Sequence, residues 1–161
     1  MTRHDSTERH PTPGVANSLW RWPEARHPLR VALNYAVIVI ARHSPSLTVK
    51  NWLFVHLLGM EIGDSVSWAL ESTPDVFFPE KISVGDGAII GYDATILCHE
   101  FLRDEYRTGE VRIGEGALVG AGAIVLPGVE VGAGAQVAAN SLVVEDVPED
   151  TTVAGVPAEP V

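Results

Sequence analysis

Apolar and small residues recur every six positions along the second half of this chain. An aliphatic residue opens each phrase, Gly often follows, two variable residues come next, and a small side chain closes it. The pattern reads Ile113-Gly114-Glu115-Gly116-Ala117-Leu118, then Val119-Gly120-Ala121-Gly122-Ala123-Ile124, and keeps step to Pro148. Val119, Val125, Val131, Val137 and Val143 hold the opening position, with Ala123, Val129, Ala135, Ser141 and Val147 at the fifth. Upstream, Val84, Ile90 and Ile96 open hexads whose fifth residues are Ala88, Ala94 and Glu100; Ile62 with Val66, Phe78 with Ile82, and a weaker hexad from Trp68 extend the series. A period of six fits neither a 3.6-residue helix nor a simple strand alternation. It predicts a triangular β-helix, one hexad per side, and about thirteen hexads make roughly four coils.

The fourth position holds Gly87, Asp93, Gly116, Gly122, Gly128, Gly134, Asn140 and Asp146. These residue types tolerate positive φ, so the column is expected to turn the corners. His99 occupies that slot in the hexad from Ile96. Two stretches leave the period, Pro74 to Phe77 and Leu102 to Tyr106; insertions of this kind map to surface loops, often on a binding face.

Residues 1–58 read differently from residues 59–161. Pro11, Pro13, Gly14, Pro23 and Pro28 punctuate an irregular start, after which Leu29 to His43 is apolar nearly all round, and Leu47 to Leu58 forms a second apolar segment closed by Gly59. Two helices are expected, with Gly59 as a C-terminal cap. A helix apolar on every side must be covered. Packing on the β-helix or on a neighbouring subunit is one cover; peripheral membrane contact through residues 29–58 is the other, suggested by the flanking Arg26, Arg30, Arg42 and Lys50.

Charge divides along the same line. Residues 1–58 carry seven Lys/Arg against three Asp/Glu, and residues 59–161 four against eighteen, which gives the overall −10. With only Lys50 and Lys81 as lysines, the acidic surface suits a high-salt cytoplasm, so a halophilic source and a cytoplasmic location are expected. No basic stripe points to nucleic acid. The single Cys98 excludes an internal disulfide framework, and no apolar run reaches the roughly 18 residues of a spanning helix.

His99 is the one histidine within the repeats, beside the second insertion, and imidazole is the natural proton acceptor at neutral pH. A solvent-facing corner residue is the bland alternative. A Cys98–His99 nucleophilic pair is disfavoured because adjacent residues of an extended chain point to opposite sides. Glu100, at a fifth position, should point inward and needs a partner; orienting His99 is one role for it. A zinc enzyme needs about three ligands, usually His, and the repeats supply one.

The hexads, the Thr-Ile-Leu-Cys-His-Glu segment at 95–100 and the Val-Ala-Gly-Val-Pro-Ala ending at 153–158 resemble the hexapeptide-repeat acyltransferases, most of all the maltose, galactoside and xenobiotic O-acetyltransferase-like group. The resemblance covers about residues 60–158. It implies an all-β, left-handed parallel β-helix with a short N-terminal helical segment, and a homotrimer with active sites between subunits. It further implies O-acetyl transfer from acetyl-CoA to a hydroxyl of a sugar or similar small acceptor, with no metal. His99 falls on the family's base. Ala121, Ala139, Val144, Gly155 and Pro157 fall on its CoA contacts. Two positions depart: Glu145 and Glu159 stand where relatives often carry bases that meet CoA phosphates. A catalytically idle trimeric scaffold or membrane-docked module is the competing expectation. Arg103, Tyr106 and Arg107 lie in or beside the loop next to His99, where contact with an acceptor and a plain solvated loop are the two expectations.

Overall fold

The computed structural model describes residues 3–14 and 16–161. From Glu61 onward the chain winds through three faces of short parallel strands. The first face stacks Glu61–Ile62, Ile82–Val84, Val111–Ile113 and Glu130–Val131. Ser67–Trp68, Ile89–Ile90, Leu118–Val119, Gln136–Val137 and Thr152–Ala154 make the second. Thr95–Ile96, Ile124–Val125 and Leu142–Val143 make the third. Opening residues pair with opening residues one coil away, Trp68 with Ile90, Ile90 with Val119, Val119 with Val137, and Val137 with Val153. The hexad register is therefore the stacking register.

The interior follows from that register. Ile90, Ile96, Val119, Val125, Val131 and Val137 are wholly buried, as are Ala88, Ala94, Ala123 and Ala135 at the fifth positions. Each buried aliphatic side chain contributes about 1.5–3 kcal/mol against the entropy of ordering the chain. Rungs approach so closely that a Cβ on Gly120 would sit 2.6 Å from Ala139 N and 2.6 Å from Val137 O. Positive φ runs down the fourth column, as expected, at Gly87, Asp93, Gly116, Gly122, Gly128, Gly134 and Asn140, and also at Ser65 and Glu71.

His99 and Asp146 depart from that column, for neither has positive φ. At His99 the chain leaves the coil altogether: His99–Phe101 pairs antiparallel with Glu105–Thr108, and Gly109 N returns to Cys98 O at 2.9 Å. The out-of-phase stretch from Leu102 is thus the tip of a hairpin. His99 is a strand residue rather than a corner, and Cys98, not Glu100, fills the interior there. Glu100 is half-buried on the hairpin, opposite Arg107. Pro79–Lys81 forms a 3-10 turn in place of a strand, although Phe78 and Ile82 are buried as the pattern requires.

Among the described residues, three α-helices precede the coils: α1 (Trp22–Ala25), α2 (Pro28–His43) and α3 (Leu47–His56). Gly59 has φ +75 just past α3, the left-handed stop its position suggests. Val37, Ile38, Ala41, Phe54 and Leu58 are buried against the first coil, where Phe54 meets Trp68 edge-on at 5.0 Å. Lys50 caps the open end, its Nζ donating to Trp68 O at 3.1 Å and Ala69 O at 2.7 Å; burial pulls its pKa below the usual lysine range, with Glu71 opposing. The other flanking cations are also committed within the chain. Arg26 pairs with Glu80 at 2.8 Å, Arg42 with Glu71 at 2.9 Å, and Arg30 donates to Leu57 O at 3.2 Å. No helix among the described residues is long and apolar enough to cross a membrane.

The irregular start contains an element that the sequence did not announce. Glu8–Pro11 adds a third antiparallel strand to the hairpin, with Glu8 opposite Thr108 and Pro11 opposite Glu105. Arg9 pairs with Glu105 at 2.7 Å, and His10 stacks on Tyr106 at 4.5 Å. Thr12 N donates to Asp104 O, and the Ser18 hydroxyl to Leu102 O. The N-terminus is a strap across the insertion beside His99.

Candidate active site

The two segments that leave the six-residue period meet. Pairing of Trp68 with Ile90 and of Thr73 with Thr95 sets an offset of 22 between the first two coils, which brings Asp75 beneath the start of the hairpin. Asp75 is wholly buried, and its carboxylate is saturated. Oδ1 accepts the N–H groups of Phe77 and Phe78, both at 2.7 Å, which folds residues 75–78 into a turn around the side chain. Oδ2 accepts the Cys98 N–H at 2.7 Å and lies 2.5 Å from Nδ1 of His99. Asn34 of α2 pins the same loop by donating to Val76 O at 2.8 Å.

These partners assign the imidazole tautomer. A carboxylate accepting three backbone N–H groups is held as an acceptor, so the proton between it and His99 sits on Nδ1. Nε2 is then left with its lone pair. Phe77, Phe101 and Phe78 surround the ring at centroid distances of 4.6, 5.3 and 6.4 Å. The His99 side chain retains 13% of its exposure, so it is held and still reachable. Such a ring can accept a proton from a hydroxyl at Nε2 while the buried carboxylate stabilises the resulting charge.

Cys98 behaves as core. It is fully buried, and burial, followed by the Asp75 charge, pushes its thiol pKa up, away from the thiolate that nucleophilic chemistry needs. Among the described residues no group of three His, Cys, Asp or Glu is placed to hold a metal ion. On the hairpin, Arg107 is tied to Glu105 at 2.8 Å, Tyr106 lies between His10 and Phe101, and Arg103 is exposed.

The other expected site residues fall into two groups. Ala121 and Ala139 are exposed and stack at one edge of the third face, Asn140 N donating to Ala121 O at 2.8 Å; Gly155 continues that edge and accepts from Leu142 N at 2.9 Å. Pro157 lies in the exposed turn that follows, with Ala158 N bonded to Leu142 O. Val144 sits across the face, stacked over Leu126 and Leu97, on the side where the hairpin departs. The chain therefore spreads these residues over the two edges of one face. Glu145 and Glu159 are both exposed. Asp75 was missed from the sequence, although an acid inside an out-of-phase stretch, placed by the coil offset two residues from His99, was a usable signal.

A winding of this kind, with hexads in register, defines a hexapeptide-repeat protein, and the profile "Bacterial transferase hexapeptide (six repeats)" matches residues 110–144. The chain is 50% identical over 151 residues, 94% of its length and 87% of the other's, to a Bacillus subtilis (strain 168) protein named "Putative acetyltransferase YvoF". It belongs to the hexapeptide-repeat acetyltransferase family, whose left-handed coil it shares. Among solved structures, a hexapeptide-repeat acetyltransferase from Vibrio cholerae O1 biovar eltor, complexed with acetyl coenzyme A, is similar with TM-score 0.68 and 22% identity over 83% of this chain and 86% of that one. A maltose O-acetyltransferase from Clostridium difficile 630 is similar with TM-score 0.59 and 16% identity over 83% of this chain and 85% of that one. At those identities the likeness shows the fold alone.

Proposed function

We propose that this chain is an acetyl-CoA-dependent O-acetyltransferase acting on a hydroxyl of a sugar or similar small acceptor, with His99 as general base and Asp75 as its positioning residue. The observation that carries the proposal is the 2.5 Å contact from Asp75 Oδ2 to His99 Nδ1, which leaves Nε2 as the one free ring acceptor. His99 Nε2 takes the hydroxyl proton as the oxygen attacks the thioester carbonyl. The C–S bond breaks, the acetyl group moves to oxygen, and His99 returns the proton to the departing thiolate. No covalent enzyme intermediate is needed.

The small exposed side chains of Ala121 and Ala139, with the Gly155–Pro157 turn, fit a pantetheine arm lying close to the backbone, and Val144, on the opposite edge of the face, would flank the arm held by a neighbouring protomer. In this reading the site is completed by a neighbouring protomer of a homotrimer. Residues 59–161 then form the transferase domain and residues 1–58 its lead-in. Glu145 and Glu159 oppose phosphates at low ionic strength, and a high-salt cytoplasm offsets this because the Debye length falls to about 3 Å at 1 M. These two acids are also what favours the second reading, a trimeric scaffold without turnover. Free-thiol release from acetyl-CoA in molar salt, across sugars, polyols and amines, separates the two. Acceptor-dependent release is expected, and its absence over a broad panel would favour the scaffold.

A further inference from the structure

The buried face of α2 carries one residue that packing alone would not choose. Asn34 is wholly buried, and the other buried residues of the helix, Val37, Ile38 and Ala41, are aliphatic. Its Oδ1 is buried with no hydrogen-bond partner among the described residues, an arrangement that works against folding. What the amide supplies is a single donor. Nδ2 bonds Val76 O at 2.8 Å, and that carbonyl assigns the orientation of the amide.

Val76 O belongs to the same planar peptide unit as the Phe77 N–H, and the Phe77 N–H donates to Asp75 Oδ1 at 2.7 Å. The unit is trans, so its carbonyl and its N–H point to opposite sides. Asn34 and Asp75 therefore grip one rigid plate by its two edges. The other Asp75 oxygen meets His99 Nδ1 at 2.5 Å. The path from helix to imidazole is short and continuous: amide, peptide plate, carboxylate, ring. The Phe77 ring also packs 4.6 Å from His99, so a turn of the plate would move both the carboxylate and the wall beside the base.

Resting on the transferase reading, we propose that Asn34 is a positioning residue for the reaction: it fixes the Val76–Phe77 peptide, thereby holds Asp75 Oδ2 on Nδ1 of His99, and so keeps the lone pair on Nε2. The helical lead-in is then part of the geometry of the base as well as a cover for the open end of the coil. Asn51 of α3 is the matched control. It makes the same kind of bond, Nδ2 to Val66 O at 2.9 Å, and its Oδ1 is likewise buried without a partner among the described residues. Val66, however, lies outside the turn that Asp75 organises.

The test compares the full chain with Asn34→Leu, Asn34→Ala and Asn51→Leu, each shown by melting to be folded; Asn34→Ala guards against overpacking by the larger leucine. Nitrogen NMR of isotope-labelled histidines at mildly alkaline pH, without acetyl-CoA, reads the His99 tautomer, and the His99→Ala spectrum assigns its signals. Acetyl transfer is measured in parallel. We expect a wild-type ring protonated on Nδ1, and a mixture with the Nε2-protonated form in both Asn34 variants. Their kcat should fall about tenfold, a part of what a general base supplies, with KM for acetyl-CoA unchanged. Asn51→Leu should keep the wild-type tautomer and kcat whatever its melting temperature. If the wild type transfers no acetyl group yet the Asn34 variants lose its Nδ1 tautomer, the positioning role stands and the transferase reading falls. A wild-type tautomer and kcat in a folded Asn34 variant overturns the proposal. So does a wild-type ring protonated on Nε2, or an equal change of tautomer and kcat in Asn51→Leu.

Discussion

Asp75 Oδ2 lies 2.5 Å from His99 Nδ1, across 24 positions of chain, and the same carboxylate gathers the N–H groups of Phe77, Phe78 and Cys98. Orientation of the base and folding of the loop beneath it are therefore one structural event. Asp75→Asn keeps the size but offers one acceptor oxygen where two carboxylate oxygens take four bonds. We expect kcat to fall at least about tenfold, out of the 10²–10⁴ that a general base supplies, with KM for acetyl-CoA unchanged. Thermal stability should also drop, because each buried donor left unpaired costs about 1–3 kcal/mol. Steady-state kinetics with a melting curve check both, and an unchanged kcat would detach Asp75 from the chemistry.

Cys98 is sealed in the interior and its thiol is pushed up by burial. Iodoacetamide should leave the native protein unlabelled and modify it on unfolding. Cys98→Ala should keep kcat within a fewfold of wild type, at a stability cost of roughly 1–3 kcal/mol for a small buried side chain. Rapid native labelling that tracks loss of activity would restore a role for the thiol.

Hydrogen bonds from Arg9, then from Arg107, hold the Glu105 carboxyl below its usual range. A carboxylate whose pKa is depressed on folding contributes stability above its ordinary value and loses that contribution as pH falls through the lowered one. Amide-exchange protection of residues 99–108 should therefore fall on acidification below about pH 4. Arg9→Ala should lower that protection already at neutral pH and flatten its pH dependence. Arg9 is exposed although Glu105 is half-buried, so solvent screens the pair and the change will be modest.

Ala139 is exposed at an edge of the third face and Gly120 supports the backbone beneath it. Ala139→Leu should raise KM for acetyl-CoA several-fold and leave the melting temperature unchanged. Gly120→Ala should do the opposite, since its Cβ meets backbone at 2.6 Å and the rungs must separate; a loss of several degrees corresponds to about 1–2 kcal/mol at this chain length. Equal effects of the two changes would contradict this placement.

Much of the fold was legible because a coil repeats one physical problem. Val119, Val137 and Val153 must all point inward from the same rung position, and Gly122 or Asn140 must turn the same corner, so each residue type reports its own geometry. Both α2 and α3 were legible from apolar runs closed by Pro45 and Gly59. What escaped notice lay where the repeat breaks. His99 occupies a corner slot by count but opens a hairpin, and Glu100 follows it out, because period alone does not say when the chain leaves the coil. The strand Glu8–Pro11 has no apolar alternation of its own; it exists by pairing with Glu105–Thr108. Asp75 was hidden for the same reason, as its partner is supplied by stacking of coils.

The central claim is that the Nε2 lone pair of His99 removes the acceptor's proton. Its most direct measurement is kcat/KM for acetyl transfer by His99→Ala beside wild type, on protein shown by circular dichroism and melting to be folded. The account predicts a loss of about 10²–10⁴-fold. A folded His99→Ala protein that retains most of the wild-type rate would contradict it.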